Sequence, residues 1–233
     1  MGKLRIRKKI RKTHRYLGLF IGLQFILWTV SGLYFSWTDL DEIHGDQFRQ
    51  DVDHLAFENL ISPSALDSTL KIKSIALREI DKKPYYWVNS NQLYNAKTGA
   101  FKRGISEEEA LHIAAQNLIK DLKVSNIEKV EAVDAHHEYR EKLLPAYVIS
   151  YEGQEAVRAY VSIKDGAFQT VRHRDWRWFD FLWMTHTMDY EGRDDINNWL
   201  LRAFSILGLI TVLSGFVLWY VSSPTLRKWK KNK

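Results

Sequence analysis

"LGLFIGLQFILWTVSGLYFSW", residues 17–37, runs for 21 residues without a charged side chain. At about 1.5 Å of rise per residue such a helix covers roughly 30 Å, the thickness of a bilayer's hydrocarbon core. The stretch is therefore predicted to cross a membrane. A second apolar run, "WLLRAFSILGLITVLSGFVLWYV" at 199–221, carries one charge, Arg202, close enough to its start to snorkel to the interface. Tyr34 and Trp37 close the first run, while Trp199 at one end and Trp219 and Tyr220 at the other bracket the second, as interfacial aromatic belts do. Basic residues ahead of an apolar core also suit a secretory signal. The first run is longer than a usual signal core, however, and no small-x-small cleavage site precedes "TDLDE" at 38–42, so it is read as a retained anchor.

Charge sets the expected orientation. Residues 1–15 hold eight Lys and Arg and no acid, and residues 222–233 hold five and no acid. Subtracting those 13 from the 34 basic residues leaves 21 against 28 acidic ones, so the net charge of +6 belongs to the two tails and the part between them is negative. By the positive-inside rule both termini face the cytoplasm and residues 38–198 lie on the outer, periplasmic side of a bacterial inner membrane. The basic tails are read as topology signals touching anionic lipid, not as a nucleic-acid surface. The absence of cysteine excludes disulfides, thiolate metal sites and cysteine catalysis.

The exterior segment carries a repeated word. "KTGAF" at 97–101 recurs as "KDGAF" at 164–168, each after a run of strand character, with Gly99 or Gly166 supplying the positive φ of a tight hairpin. Upstream of the second copy, Ser106 and Glu109 form a capping box, and Ala110, Leu111, Ile113, Ala114, Leu118 and Ile119 follow helical spacing to about Leu122. Strands are predicted near 127–134, 144–152 and 157–163, with the hairpin running to about 172. The first copy is predicted to mirror this, with a short helix from Ser62 or Ser64 to about Leu70 and strands near 72–79, 84–89 and 92–95. The fold class is therefore α+β: two transmembrane helices flanking an extracytoplasmic region of tandem helix-plus-antiparallel-sheet units.

On these motifs, "ISEEEALHIAAQ" at 105–116 and "AYVSIKDGAFQTV" at 159–171 resemble the opening helix and closing hairpin of a PepSY domain, and residues 62–103 resemble a weaker second copy. "HRYLGLFIGLQFILWTVSGLYF" at 14–35, "DLDEIHGD" at 39–46 and the stretch 182–220 are similar to the PepSY-associated transmembrane family. The chain then divides into a basic cytoplasmic tail (1–16), a first span (17–37), an extracytoplasmic linker (38–61), a first PepSY-like unit (62–103), a PepSY domain (104–172), an amphipathic juxtamembrane segment (173–198), a second span (199–221) and a second basic tail (222–233).

Eight histidines are present. His136 and His137, in "DAHHEYREK", are read as an exposed loop; with Glu138 they would need further ligands to hold a metal. His54, His112 and His173 are assigned no role. His14 and His186 differ by lying at the ends of membrane-associated segments. Phe179, Leu182, Trp183 and His186 share one helical face that would lie in the outer interface, and His44 is on that same side. Haem b suits such histidines: its porphyrin is an apolar disc, its iron takes axial imidazoles, and its propionates seek a cation such as Arg202. The plain reading makes His14 one more interfacial polar residue and His186 a hydrogen-bonded residue in a packed corner.

The resemblance bears on this choice, because larger members include haem-containing inner-membrane reductases that act on siderophore-bound iron. It implies that His14, in "HRYLGL", and His186, in "THTMDYEG", ligate haem iron. Two differences from those reductases are the His-Thr-Met in place of their His-Thr-Gly, and two spans in place of four. His14 and His186 are expected at opposite faces, so they cannot share one iron. Bis-histidine ligation would need a homodimer or larger membrane complex, pairing each with its symmetry mate, or His186 with His44. Gly18 and Gly22 form a GxxxG pair, which fits such a dimer and equally fits packing between the two spans of one chain.

No GxSxG, HExxH, P-loop or dinucleotide fingerprint occurs, so a reductant would have to come from a separate cytoplasmic donor and pass to an extracytoplasmic acceptor. Two functions are carried forward. One is haem-dependent transmembrane electron transfer linked to iron uptake; the other is a non-enzymatic, membrane-anchored PepSY module that binds or regulates an extracytoplasmic partner such as a protease.

Overall fold

The computed structural model describes residues 2–223 apart from His54 and Ser68, with side chains described from Lys8 onward. The basic tail therefore lies, from Pro224 on, outside the described residues, as does His54. The chain forms two compact units, residues 1–37 with 180–233 and residues 38–179.

The first unit is an antiparallel helical hairpin. Helix α1, Gly2–Trp37, and helix α5, Trp199–Ser222, are both long and apolar enough to span a bilayer. They meet along a narrow seam, where Phe20 and Phe204 lie 5.6 Å apart and a Cβ on Gly208 would come within 3.0 Å of the Phe25 ring. Away from it their apolar side chains point outward, Leu19 being 78% and Phe216 65% exposed. Apolar surface on that scale is stable only in lipid. Gly18 and Gly22 have nothing within 4 Å of where a Cβ would stand, so the GxxxG face takes no part in packing between the two spans of one chain.

The second unit holds two four-stranded antiparallel meanders of the same order. The first comprises β1 (Ile75–Ile80), β2 (Lys83–Val88), β3 (Gln92–Asn95) and β4 (Phe101–Lys102); the second comprises β5 (Val124–Val130), β6 (Ala146–Tyr151), β7 (Arg158–Ser162) and β8 (Phe168–Arg172). The repeated word closes equivalent hairpins. Gly99 (φ +75°) donates to Asn95 O as Gly166 (φ +68°) donates to Ser162 O, and Asn95 N bonds Ala100 O as Ser162 N bonds Ala167 O.

Between the sheets runs α3, Glu107–Asn117, started by the predicted capping box: Glu109 N donates to Ser106 Oγ and Ser106 N to Glu109 Oε2. The helix ends at Asn117, five residues short of the sequence expectation. Leu118 turns extended because the linker intervenes: Arg49 and Leu118 form a β-bridge, Ile119 N donates to Phe48 O, and the Gln50 amide caps the carbonyls of Ala115 and Gln116. The linker itself forms α2, Leu40–His44, and a 3-10 turn at Asp46–Phe48. The helix expected from Ser62 or Ser64 to Leu70 is reduced to a 3-10 turn at Pro63–Ala65. There the Asp67 carboxylate takes both the backbone N–H and the hydroxyl of Thr69, so short polar side chains supply the turn with bonds a helix would need from its own backbone. Strand β5 begins three residues earlier than expected, at Val124.

One apolar cluster joins both sheets. Ile80, Tyr85, Trp87 and Leu93 of the first pack with Ala110, Ile113 and Ala114 of α3 and with Ile149, Ala159, Val161 and Val171 of the second.

The polar word "DAHHEYREK" is exposed at His136, yet its next residues turn inward. The Glu138 side chain, 9% exposed, accepts from Tyr160 Oη at 2.6 Å, Arg158 Nη1 at 3.2 Å, and Arg177 Nε and Nη2 at 2.6 and 3.1 Å. Tyr139 is fully buried and stacks on Tyr160 at 4.6 Å. Burial pushes the Glu138 pKa up, but the bonds from Arg177 and Tyr160 and the charges of Arg177 and Arg158 outweigh it and hold the carboxyl below its ordinary 4.5. Glu138→Ala is expected to cost about 2 kcal/mol, less than for a fully buried pair because both arginines keep contact with water. A group with a depressed folded pKa stabilises fully above its unfolded pKa. The penalty of the variant, read as a loss of melting temperature, should thus be constant above pH 4.5 and shrink as pH falls below it.

Candidate functional site

Two histidines of the helical unit sit in matching surroundings. His14, on α1, reaches the Ser214-Gly215 pair of α5: Nδ1 is 2.7 Å from Ser214 Oγ, and a Cβ on Gly215 would lie 3.2 Å from Cε1. Helix α4, Arg174–Thr187, carries His186 to the Ser31-Gly32 pair of α1, with Nδ1 2.7 Å from Ser31 Oγ and Cε1 4.0 Å from a Cβ on Gly32. In each case the missing side chain of glycine leaves a flat helix surface against which an imidazole edge rests.

The serines fix the tautomers. Ser214 Oγ donates its single proton to Thr211 O at 2.7 Å, so towards His14 it can only accept. Ser31 Oγ donates likewise to Leu27 O at 2.7 Å, and its residue is 1% exposed. Both imidazoles accordingly carry the proton on Nδ1 and a lone pair on Nε2, an assignment made from the bonding network. A ring whose Nδ1–H is held and oriented while Nε2 stays bare is what a metal-ligating histidine requires.

Aromatic groups wall the second imidazole. Phe35 stands 5.5 Å and Trp28 6.5 Å from the His186 ring, and Trp28 Nε1 donates to His186 O at 2.7 Å. Asn198 Nδ2 donates to Thr187 O while its Oδ1 caps α5 at Leu201 N, so both spans grip the end of α4. The helix stops because Met188 takes φ +56°, a left-handed backbone that glycine adopts without strain. This is the position where the reductases that the sequence resembles have the glycine of His-Thr-Gly. Next to it the Asp189 carboxylate receives the N–H groups of Glu191, Gly192 and Asp195. Burial works against its charge, but these backbone donors keep its pKa below the ordinary aspartate value. Arg193 pairs with the buried Asp180.

Ser31 follows His14 by 17 residues on α1, which sets the two imidazole layers about 26 Å apart along the helix. One chain therefore presents two separate positions. His44 belongs to the other unit, exposed in the last turn of α2. Arg202 is exposed in the first turns of α5. Of the remaining histidines, His137 Nδ1 accepts from Tyr139 N and Glu138 is taken up by its arginines, so "HHE" is not arranged as a metal site. His112 faces Asp81 at 3.3 Å. Sequence reading missed the serines; the Ser-Gly pair repeated in both spans, Ser31-Gly32 and Ser214-Gly215, is the signal that could have found them.

Apolar helices that bury little against each other, joined to a mixed sheet-and-helix body, define an integral membrane protein with an α+β extramembrane region. Residues 11–233 match the family described as PepSY-associated TM region, and the chain belongs to that family. Comparison with curated proteins and with solved structures gave no match.

Proposed function

We propose that this protein binds haem b and serves transmembrane electron transfer linked to reduction of ferric chelates, siderophore-bound iron among them, at the bacterial inner membrane. The observation that supports the reading is the pair of His-Ser-Gly arrangements, each of which anchors Nδ1 on a serine and leaves the lone pair on Nε2. His14 and His186 would hold the haem irons, each together with its counterpart from a second copy of the chain. Arg202 serves the propionates. Haem, when bound, would supply the one-electron chemistry. Ser214 and Ser31 hold the ring planes and tautomers, the facing glycines admit the rings, and Phe35 and Trp28 exclude water from the His186 side. With both termini cytoplasmic, as the basic tails direct, His14 lies at the inner face and His186 at the outer.

A dithionite-reduced minus oxidised visible spectrum of protein purified in mild detergent, after expression with ample haem, tests this. A sharp low-spin b-type band is expected. A flat spectrum removes the haem reading and leaves the membrane-anchored binding module. For that second function the relevant feature is a cleft of about 420 Å³ in the exterior unit, lined by Val52, Leu55 and Phe57 of the linker with Leu77, Ile113 and Phe168.

A further inference from the structure

We propose that Glu155, His173 and Asp175 form a binding site for a zinc-class divalent metal ion on the exterior unit. Glu155 lies in the β6–β7 connection, His173 just after β8, and Asp175 in the first turn of α4. One ligand atom from each lies within 4.8 Å of the other two. An acidic pair beside a histidine is common on protein surfaces; what distinguishes this one is the state of the imidazole.

His173 is 1% exposed, and its Nε2 lies 3.0 and 3.1 Å from the carbonyl oxygens of Glu42 and Ile43. Carbonyls only accept, so Nε2 carries the proton and Nδ1 is left with a lone pair. That Nδ1 is buried and has no hydrogen-bond partner. A buried lone pair without a donor is costly, and a ring whose N–H is anchored on backbone carbonyls is already oriented as a metal ligand. Phe48, edge-on at 5.2 Å, fixes the ring further.

The carboxylates supply the charge. Arg174 now rests between them, Nη2 3.3 Å from Glu155 Oε1 and Nε 3.5 Å from Asp175 Oδ1, with half its side chain in water. These are long, solvated contacts that give way at small cost, and the guanidinium marks where positive charge is favoured. Four-coordinate zinc, with bonds near 2.0–2.1 Å, asks for ligand atoms roughly 3.3 Å apart. The half-exposed Glu155 and Asp175 can close that distance around a fixed His173, and water fills the remaining position.

Titration of Zn²⁺ alone into chelator-treated, untagged full-length protein in detergent, followed by calorimetry, tests the site. The wild type is expected to bind one equivalent. Glu155→Gln with Asp175→Asn, exposed changes that spare the buried His173, should weaken binding by about tenfold or more. Arg174→Ala should tighten it several-fold by removing the competing cation. Failure of the wild type to bind overturns the proposal. So does unchanged affinity in the Glu155→Gln/Asp175→Asn variant, which would put the ion elsewhere, at His136 and His137 for instance.

Discussion

Excision of residues 62–103 in favour of a short Gly-Ser linker is expected to unfold the rest of the second unit. The first sheet does not sit beside a finished domain; it forms one wall of its core. Ile80 is fully buried and stands 2.7 Å from where a Cβ on Gly166 would be, so the tip of β1 rests directly on the second hairpin. Arg78 pairs with Asp165, whose side chain is 5% exposed, and Lys102 pairs with Glu109 at 3.0 Å. Removing Ile80, Tyr85, Trp87 and Leu93 takes four members out of the apolar cluster that also holds Ala110, Ile113 and Ala114 of α3. At about 2 kcal/mol for each large apolar side chain, four such losses forfeit roughly 8 kcal/mol, comparable with the whole stability of a typical domain. A thermal melt of the shortened chain should show no cooperative transition from the second unit. An unchanged melting curve would establish the second meander as an independent domain.

The second large effect follows from the proposed haem. His14→Ala and His186→Ala should each abolish one ligand position, removing about half of the low-spin band, and the double variant should remove all of it. Ser214→Ala and Ser31→Ala leave the imidazoles in place but free the tautomer and ring plane. They should weaken haem retention by roughly 10- to 100-fold without erasing the signal at saturating haem. Haem content measured against protein, alongside the spectra, separates loss of ligand from loss of protein. A wild-type spectrum in the double variant would dismiss both histidines as ligands.

Much of this was legible in sequence where the signal is local. An uncharged run of spanning length, a capping box within four residues and a glycine in a repeated hairpin word each report conditions that neighbouring residues alone must satisfy. The sequence reading failed where distant partners decide. Helical spacing in α3 continues past Asn117, but the linker at Phe48–Gln50 captures the chain there through the Arg49–Leu118 bridge and the Ile119 N to Phe48 O bond. The helix expected near Ser64 lost to the Asp67 and Thr69 side chains. Glu138 looked like part of a solvated loop because Arg158, Tyr160 and Arg177 come from later elements. The serine partners of His14 and His186 lie 200 and 155 positions away, a pairing no periodicity encodes.

His14 and Ser31 stand on one unbroken helix, so the spacing of the two imidazole layers is set by its regular rise of about 1.5 Å per residue. The protein thereby carries its own ruler for the bilayer. In a membrane whose apolar thickness matches about 26–30 Å, both rings sit at the borders of the hydrocarbon. In a thicker one α1 cannot stretch, and either the lipid thins around it or a polar imidazole layer sinks into oil, at a fraction of a kcal/mol for each ångström of mismatch. Lipid composition thus becomes a parameter of the two histidine positions, set without any ligand or partner touching them.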